Sequence, residues 1–216
     1  MSIATAMDPR TPTFPAIEVS EAVLGDTPFL LTADNFLAGV EAGMFSSDER
    51  IYLRNGKIYE KMSKTSAHSV LGFKLVTTLI RRLPPGWAVF PEGQFKVNEI
   101  NTRLPDIAVA RGDDAGAFLA PGGYPQARDL VLVVEIAVTS IAKDLGANLE
   151  RYARALLPTY WVADFSARRI LAHTRPRVVD GKGTYEQVEE VGPGGTLSLW
   201  IDGREIVRFV HEDMMP

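Results

Sequence analysis

The sequence predicts an α/β domain whose mixed β-sheet is flanked by helices. Three observations predict it. Helical segments at residues 31–40, 66–83 and 140–157 alternate with short apolar runs of strand length, the pattern of helices packed on a sheet. Two of those runs, 103–110 and 130–137, are dense in Val, Ile, Leu and Ala, as strands buried on both faces are. Beyond Ser166 the pattern turns all-β, with short strands at 169–173, 185–191, 197–201 and 205–209 joined by glycine-containing turns. These either form an additional antiparallel layer or extend the first sheet.

Each element has a local reason. Residues 1–28 are rich in Pro, Thr, Ala and Ser and read as a flexible extension, so one domain is expected over 29–216, with 166–216 as its β-rich part. Thr32 is a candidate N-cap, followed by Phe36, Leu37 and Val40 at helical spacing. Asn55-Gly56 stands between two alternating runs across 51–62, a strong hairpin signal because both residues tolerate positive φ. In 66–83, Val70, Leu71, Leu75, Leu79 and Ile80 form a stripe, Ser66 is the expected cap and Pro84-Pro85-Gly86 the stop. Residues 87–91 and 94–97 read as strands. The stretch 111–128 is rich in Gly, Ala and Pro and reads as a long loop. In 140–157, Ile141, Leu145, Leu149, Tyr152 and Ala153 share helical spacing, and Pro158 ends the helix before the strand 160–164. Tyr160-Trp161 reads as sheet core.

Composition narrows the function. Apolar residues are 46% and charged residues 23% of 216, an ordinary globular balance with length enough for a sizeable core. There is no cysteine and there are three scattered histidines, which excludes a disulfide framework and a thiolate zinc site. No apolar run has the length of a membrane span, and residues 1–15 lack the basic start and apolar centre of a secretory leader, so a cytoplasmic location is expected. A net charge of −4 argues against generic coating of nucleic acid and leaves room for a local basic cleft. No glycine-rich phosphate loop of either common type is present.

Two acids interrupt the apolar runs. Asp106 lies in Leu104-Pro105-Asp106-Ile107-Ala108-Val109, and Glu135 follows Leu130-Val131-Leu132-Val133-Val134. A carboxylate in such a run is costly to bury unless paired, protonated or metal-bound. Neighbouring strands would aim both acids at one point, where hard oxygens suit Mg²⁺ or Mn²⁺. The competing readings are a turn-capping acid for Asp106 and a buried ion pair for Glu135. His68, in the first turn of the main helix, is either a surface or capping residue or one that faces the acids and orients water or phosphate. Asp144 and Asn148 share a helix face, with Lys143 about 100° away. Lys61 and Lys64, just before His68, suit positioning contacts with a phosphate backbone.

In their order, these segments resemble the PD-(D/E)XK nuclease superfamily. More closely they resemble the bacterial putative restriction endonuclease family abundant in cyanobacteria. The resemblance spans about residues 30–172 and is carried by Leu31-Thr32-Ala33-Asp34-Asn35-Phe36-Leu37, Leu53-Arg54-Asn55-Gly56-Lys57-Ile58-Tyr59, His68, Pro105-Asp106, Val134-Glu135-Ile136, Asp144-Leu145-Gly146-Ala147-Asn148-Leu149 with Tyr152, and Tyr160-Trp161-Val162-Ala163-Asp164. It implies a restriction-endonuclease-like core and Mg²⁺-dependent (or Mn²⁺-dependent) hydrolysis of DNA. Asp106 and Glu135 would be metal ligands, with the Ile136 carbonyl as a third. His68, Asn148 and Lys143 would be catalytic helpers, and a homodimer would be the assembly. The chain departs from the family pattern at three positions: Ala137 and Asn148 stand where a lysine is usual, and Tyr52 where a glutamate is usual. These departures keep open a second reading, a catalytically degenerate nuclease fold acting as a nucleic-acid-binding or assembly module.

Overall fold

A computed structural model describes residues 27–46, 49–112, 118 and 123–216. Residues 1–26 of the expected extension, and much of the expected loop at 111–128, lie outside the described residues. The first helix, α1 (Ala33–Glu41), starts where its cap predicts, with Thr32 Oγ1 accepting from the Asn35 amide at 3.2 Å. The hairpin β1 (Ile51–Arg54) and β2 (Lys57–Glu60) turns through Asn55 and Gly56 at φ 49° and 73°. Positive φ at both central residues matches the right-handed strand twist.

The main helix, α2 (Ser66–Arg82), is capped by Thr65, one residue before the expected Ser66; Thr65 Oγ1 accepts from the His68 amide at 3.2 Å. Thr65 has the extended backbone that a cap needs, whereas Ser66 is already helical. Leu71, Leu75 and Leu79 face the core, while Val70 and Ile80 of the expected stripe face outward, 62% and 60% exposed. The buried face follows one i, i+4 row, and the rows beside it look onto solvent.

Then come β3 (Trp87–Pro91), the pair β4 (Phe95–Asn98) and β5 (Asn101–Arg103), and β6 (Ile107–Arg111). The expected strand at 103–110 is thus split. Pro105 has no N–H to donate, and Leu104-Pro105-Asp106 forms the bend between β5 and β6. A short 3₁₀ turn (Ala127–Asp129) leads into β7 (Leu130–Ala137), buried at every position. The expected helix at 140–157 comprises a helical turn (Ile141–Lys143), a π-helical turn (Asp144–Asn148) and a final α segment (Leu149–Arg154), together α3. Insertions of this kind are rare and gather at functional sites. The remaining elements are β8 (Thr159–Asp164), β9 (Arg169–Val179), β10 (Lys182–Val191), β11 (Thr196–Ile201), β12 (Arg204–Val210) and α4 (His211–Met214).

The main sheet has six strands in the order β10-β9-β8-β7-β6-β3, antiparallel throughout except for β7 and β8. That parallel pair is joined by α3, the crossover such a pair requires. Both expectations for the C-terminal part are realised, since β9 and β10 extend the sheet while β11–β12 forms a separate antiparallel pair. One sheet face carries Leu132, Val134, Ile136 and Trp161 under α2, β11–β12 and α4. The other carries Val133, Ala137, Tyr160 and Val162 under α3 and β4. Gly183 lets β10 approach α3, because a Cβ there would stand 2.2 Å from the Glu150 carbonyl oxygen. A third cluster joins α1 to the hairpin through Phe36, Leu37, Ile51 and Leu53. Backbone bonds from Leu31 to Gly56 and from Gly56 to Ile100 fix that hairpin beside β5.

Candidate active site

The register of β6 and β7 creates the site. Ile107 pairs with Val134, so Asp106 and Glu135 lie opposite each other at the end of that ladder. Both are buried, at 4% exposure, and such carboxylates need partners. Lys61, immediately after β2, supplies one. Its ammonium donates to Asp106 Oδ1 at 2.8 Å, Glu135 Oε2 at 3.0 Å and the Leu104 carbonyl at 3.0 Å. Those three bonds use all three donors of a lysine. On the far oxygens, Asp106 Oδ2 accepts from the Ile136 amide at 2.8 Å and lies 3.0 Å from His68 Nε2. Glu135 Oε1 accepts from the Tyr152 hydroxyl at 2.6 Å.

The two acids are pushed in opposite directions. Burial raises Asp106, but the hydrogen bond from His68 and the charge of Lys61 outweigh it and hold the carboxyl below the usual range. Burial dominates at Glu135, with the charge of Asp106 adding to it against Lys61, and pushes the group up to about 7. For Lys61 the burial penalty is overcome by Glu135 and Asp106, so it stays charged above the ordinary lysine value. A buried pair driven apart in this way is a frequent mark of functional chemistry.

A second ring of charge surrounds the first. Arg50 Nη2 pairs with Glu92 and lies 3.7 Å from Asp106 Oδ1; Lys64 Nζ is 3.2 Å from Glu92. Glu92 has φ 50°, uncommon for a residue with a side chain, and its amide donates to the Asp106 carbonyl at 2.9 Å. The turn after β3 thereby fixes the Asp106 peptide.

The structure brings His68, Asp106, Glu135 and Ile136 together in one cleft of about 110 Å³, which Lys143 and Asp144 also line. Asn148 is elsewhere engaged: its amide donates to Asp144 Oδ1 at 2.8 Å, while Ser140 holds Oδ2. Burial, foremost, raises the Asp144 carboxyl. Sequence reasoning missed Arg50, Glu92 and the Tyr152 hydroxyl as parts of the centre, and read Lys61 as a contact to a DNA phosphate backbone. The available signal was Tyr152 itself, a hydroxyl on an otherwise apolar helix stripe that faces the Glu135 strand. A wider groove of about 920 Å³ between β8–β10 and the β11–β12 hairpin, near Trp161 and Trp200, lies away from the acids. Among the described residues no group of three or more His, Asp or Glu side chains stands ready to hold a metal ion, and no helix is long and apolar enough to cross a membrane.

A family model described as "Uma2: Putative restriction endonuclease" matches residues 37–202. No curated protein matches. Among solved structures, one described as a putative nuclease belonging to DUF820 from Anabaena variabilis ATCC 29413 superposes with a TM-score of 0.60 at 14% identity. The match covers 85% of this chain and 97% of that one. At this identity the likeness speaks for the fold, a mixed sheet of nuclease type flanked by helices.

Proposed function

Because the chain belongs to the Uma2 putative restriction endonuclease family, we propose that it hydrolyses DNA phosphodiester bonds at the Asp106–Glu135 centre with a divalent cation, Mg²⁺ or Mn²⁺. One observation carries the reading: two buried carboxylates, one at the entry to β6 and one in β7, converge on a single positive charge, Lys61 Nζ, within 3.0 Å of each. The donors are hard oxygens of the kind these ions prefer, and the point between them already attracts a cation. The residues therefore fit the ion. Asp106, Glu135 and the Ile136 carbonyl would hold it; that carbonyl leaves β7 on the same side as the Ile136 amide, toward Asp106. Such an ion, when bound, acidifies water and offsets charge on phosphate oxygens.

The chain's own residues supply the rest. Hydrolysis forms a bond from a water oxygen to phosphorus and breaks one ester P–O bond, with a water proton ending on the departing oxygen. In this reading His68 orients that water. Its Nε2 is held by Asp106, and its buried Nδ1 has no hydrogen-bond partner among the described residues. In this reading Lys143, which lines the same cleft, positions a DNA backbone, with Lys64 joining it only on leaving Glu92. A cytoplasmic protein acting as a homodimer, one centre per strand of a duplex, completes the reading.

The test is cleavage of plasmid and oligonucleotide DNA by the purified protein with Mg²⁺, Mn²⁺ or EDTA. Cleavage is expected only with an ion, and Asp106→Asn or Glu135→Gln should lower it by about 100-fold or more. A wild-type protein inert with both ions on varied DNA would sink the proposal. The module reading draws on a specific observation of its own: all four carboxylate oxygens already have partners. It predicts that calorimetry detects weak or no Mn²⁺ binding, or binding without cleavage.

A further inference from the structure

Lys61 is not placed as a surface phosphate contact. Its side chain is only 15% exposed, and its ammonium lies at the end of the β6–β7 ladder, held by Asp106, Glu135 and the Leu104 carbonyl. Its backbone is fixed, since the Lys61 amide donates to the Arg50 carbonyl at 2.6 Å and the hairpin behind it is bolted to β5 through Leu53, whose amide bonds Thr102 Oγ1 at 2.9 Å. The mobile part is the four-carbon stem. The next residue on Glu135's face of β7 is Ala137, 1% exposed and packed in the apolar cluster under α3. That position brings no charge to the acids. Arg50 stands 3.7 Å from Asp106 but is committed to Glu92.

We propose that Lys61 is the resident cation of this centre, and that its ammonium and a divalent ion contend for the same two oxygens, Asp106 Oδ1 and Glu135 Oε2. The inference rests on the nuclease reading and adds the residue that governs entry of the ion. Without the ion, the ammonium keeps two buried carboxylates from repelling each other. With the ion on those oxygens, the ammonium is displaced along its stem toward the cleft that His68 and Lys143 also line. There it meets a phosphate oxygen and offsets charge that grows as the water adds. One lysine thus keeps the metal-free site intact and serves the substrate once the ion is in place.

Such a role predicts two effects of opposite sign, which a merely structural lysine would not produce. In the full chain, Lys61→Met should bind Mn²⁺ more tightly in calorimetry, by about tenfold or more, because no ammonium has to leave. The same variant should lose DNA cleavage by about 100-fold or more. Its melting temperature in EDTA should fall, and the rise on adding Mn²⁺ should exceed that of the wild type. Lys61→Gln, which keeps two donors and drops the charge, provides the same readouts if the methionine variant does not fold. Weaker or unchanged Mn²⁺ binding in these variants overturns the proposal, as does unchanged cleavage, while wild-type cleavage leaves the nuclease reading standing. A wild type that neither binds Mn²⁺ nor cleaves removes both.

Discussion

The two faces of β7 come from one strand and work by opposite physics. Leu132, Val134 and Ile136 meet Leu71, Leu75, Trp161 and Phe209 in a packing made of apolar side chains. Glu135, one residue away, meets Lys61 and Tyr152 through two oriented hydrogen bonds, one on each carboxylate oxygen. The first face gains free energy in proportion to the apolar area it removes from water, with little regard for direction. The second must match donors to acceptors at fixed distances, because an unpaired charge there is penalised heavily. Stability and chemistry should therefore separate by face, and substitutions on each side can break that separation.

The largest effect belongs to the apolar face. Trp161 is 1% exposed and meets Phe209 edge-on, with ring centroids 5.8 Å apart. Trp161→Ala should cost about 3–5 kcal/mol of stability through lost transfer energy and a residual cavity, read by urea denaturation. Below the transition, the folded variant should bind Mn²⁺ as the wild type does. If folded Trp161→Ala loses Mn²⁺ binding, the two faces are coupled and the separation fails.

A smaller effect should come from the acid face. Tyr152→Phe keeps the ring between Phe95 and Tyr160 and removes only the hydroxyl that donates to Glu135 Oε1. A buried acceptor left without its donor costs about 1–3 kcal/mol. The signature that distinguishes it from Trp161→Ala is a change in Mn²⁺ affinity measured on the folded protein, since the lost bond orients the carboxylate. Equal Mn²⁺ affinity in wild type and variant would show that the Tyr152 hydroxyl does not set the orientation of Glu135.

These contrasts also explain what could be read from residues in a row. Asp106 and Glu135 were legible because a charge inside an apolar run announces its own cost. Their apolar runs and the Asn55-Gly56 hairpin were legible because side-chain period and turn chemistry are local. The docking of the hairpin is not local. Lys61 reaches Asp106 only because Gly56 bonds Ile100 and Leu53 bonds Thr102, contacts between segments some 45 residues apart. Val70 and Ile80 looked like core because periodicity marks an apolar stripe without saying how many neighbours cover it. The π-helical turn at Asp144–Asn148 has no sequence signal of its own beyond Gly146.

The smallest expected effect concerns a buried polar group on the acid face that has no ion to meet. His173 is 8% exposed and lies between Tyr160 and Tyr185, with ring centroids 5.9 Å from each. Its Nε2 has no hydrogen-bond partner among the described residues. Burial lowers its pKa, so the folded protein holds it neutral at a pH where the unfolded chain has begun to take up a proton. The sign follows from proton counting. Stability from this group is complete above the unfolded value near 6.5 and falls as pH drops toward the lowered folded value, with a slope of at most about 1.4 kcal/mol per pH unit, that of one proton. His173→Phe keeps an aromatic ring in the stack and removes the titration, so urea denaturation from pH 7.5 to 5 should show a flatter loss than the wild type. An unchanged slope would assign that acid-side loss to other groups. It would also leave Glu135, buried on the same face but ion-paired, as the contrast that His173 does not sharpen.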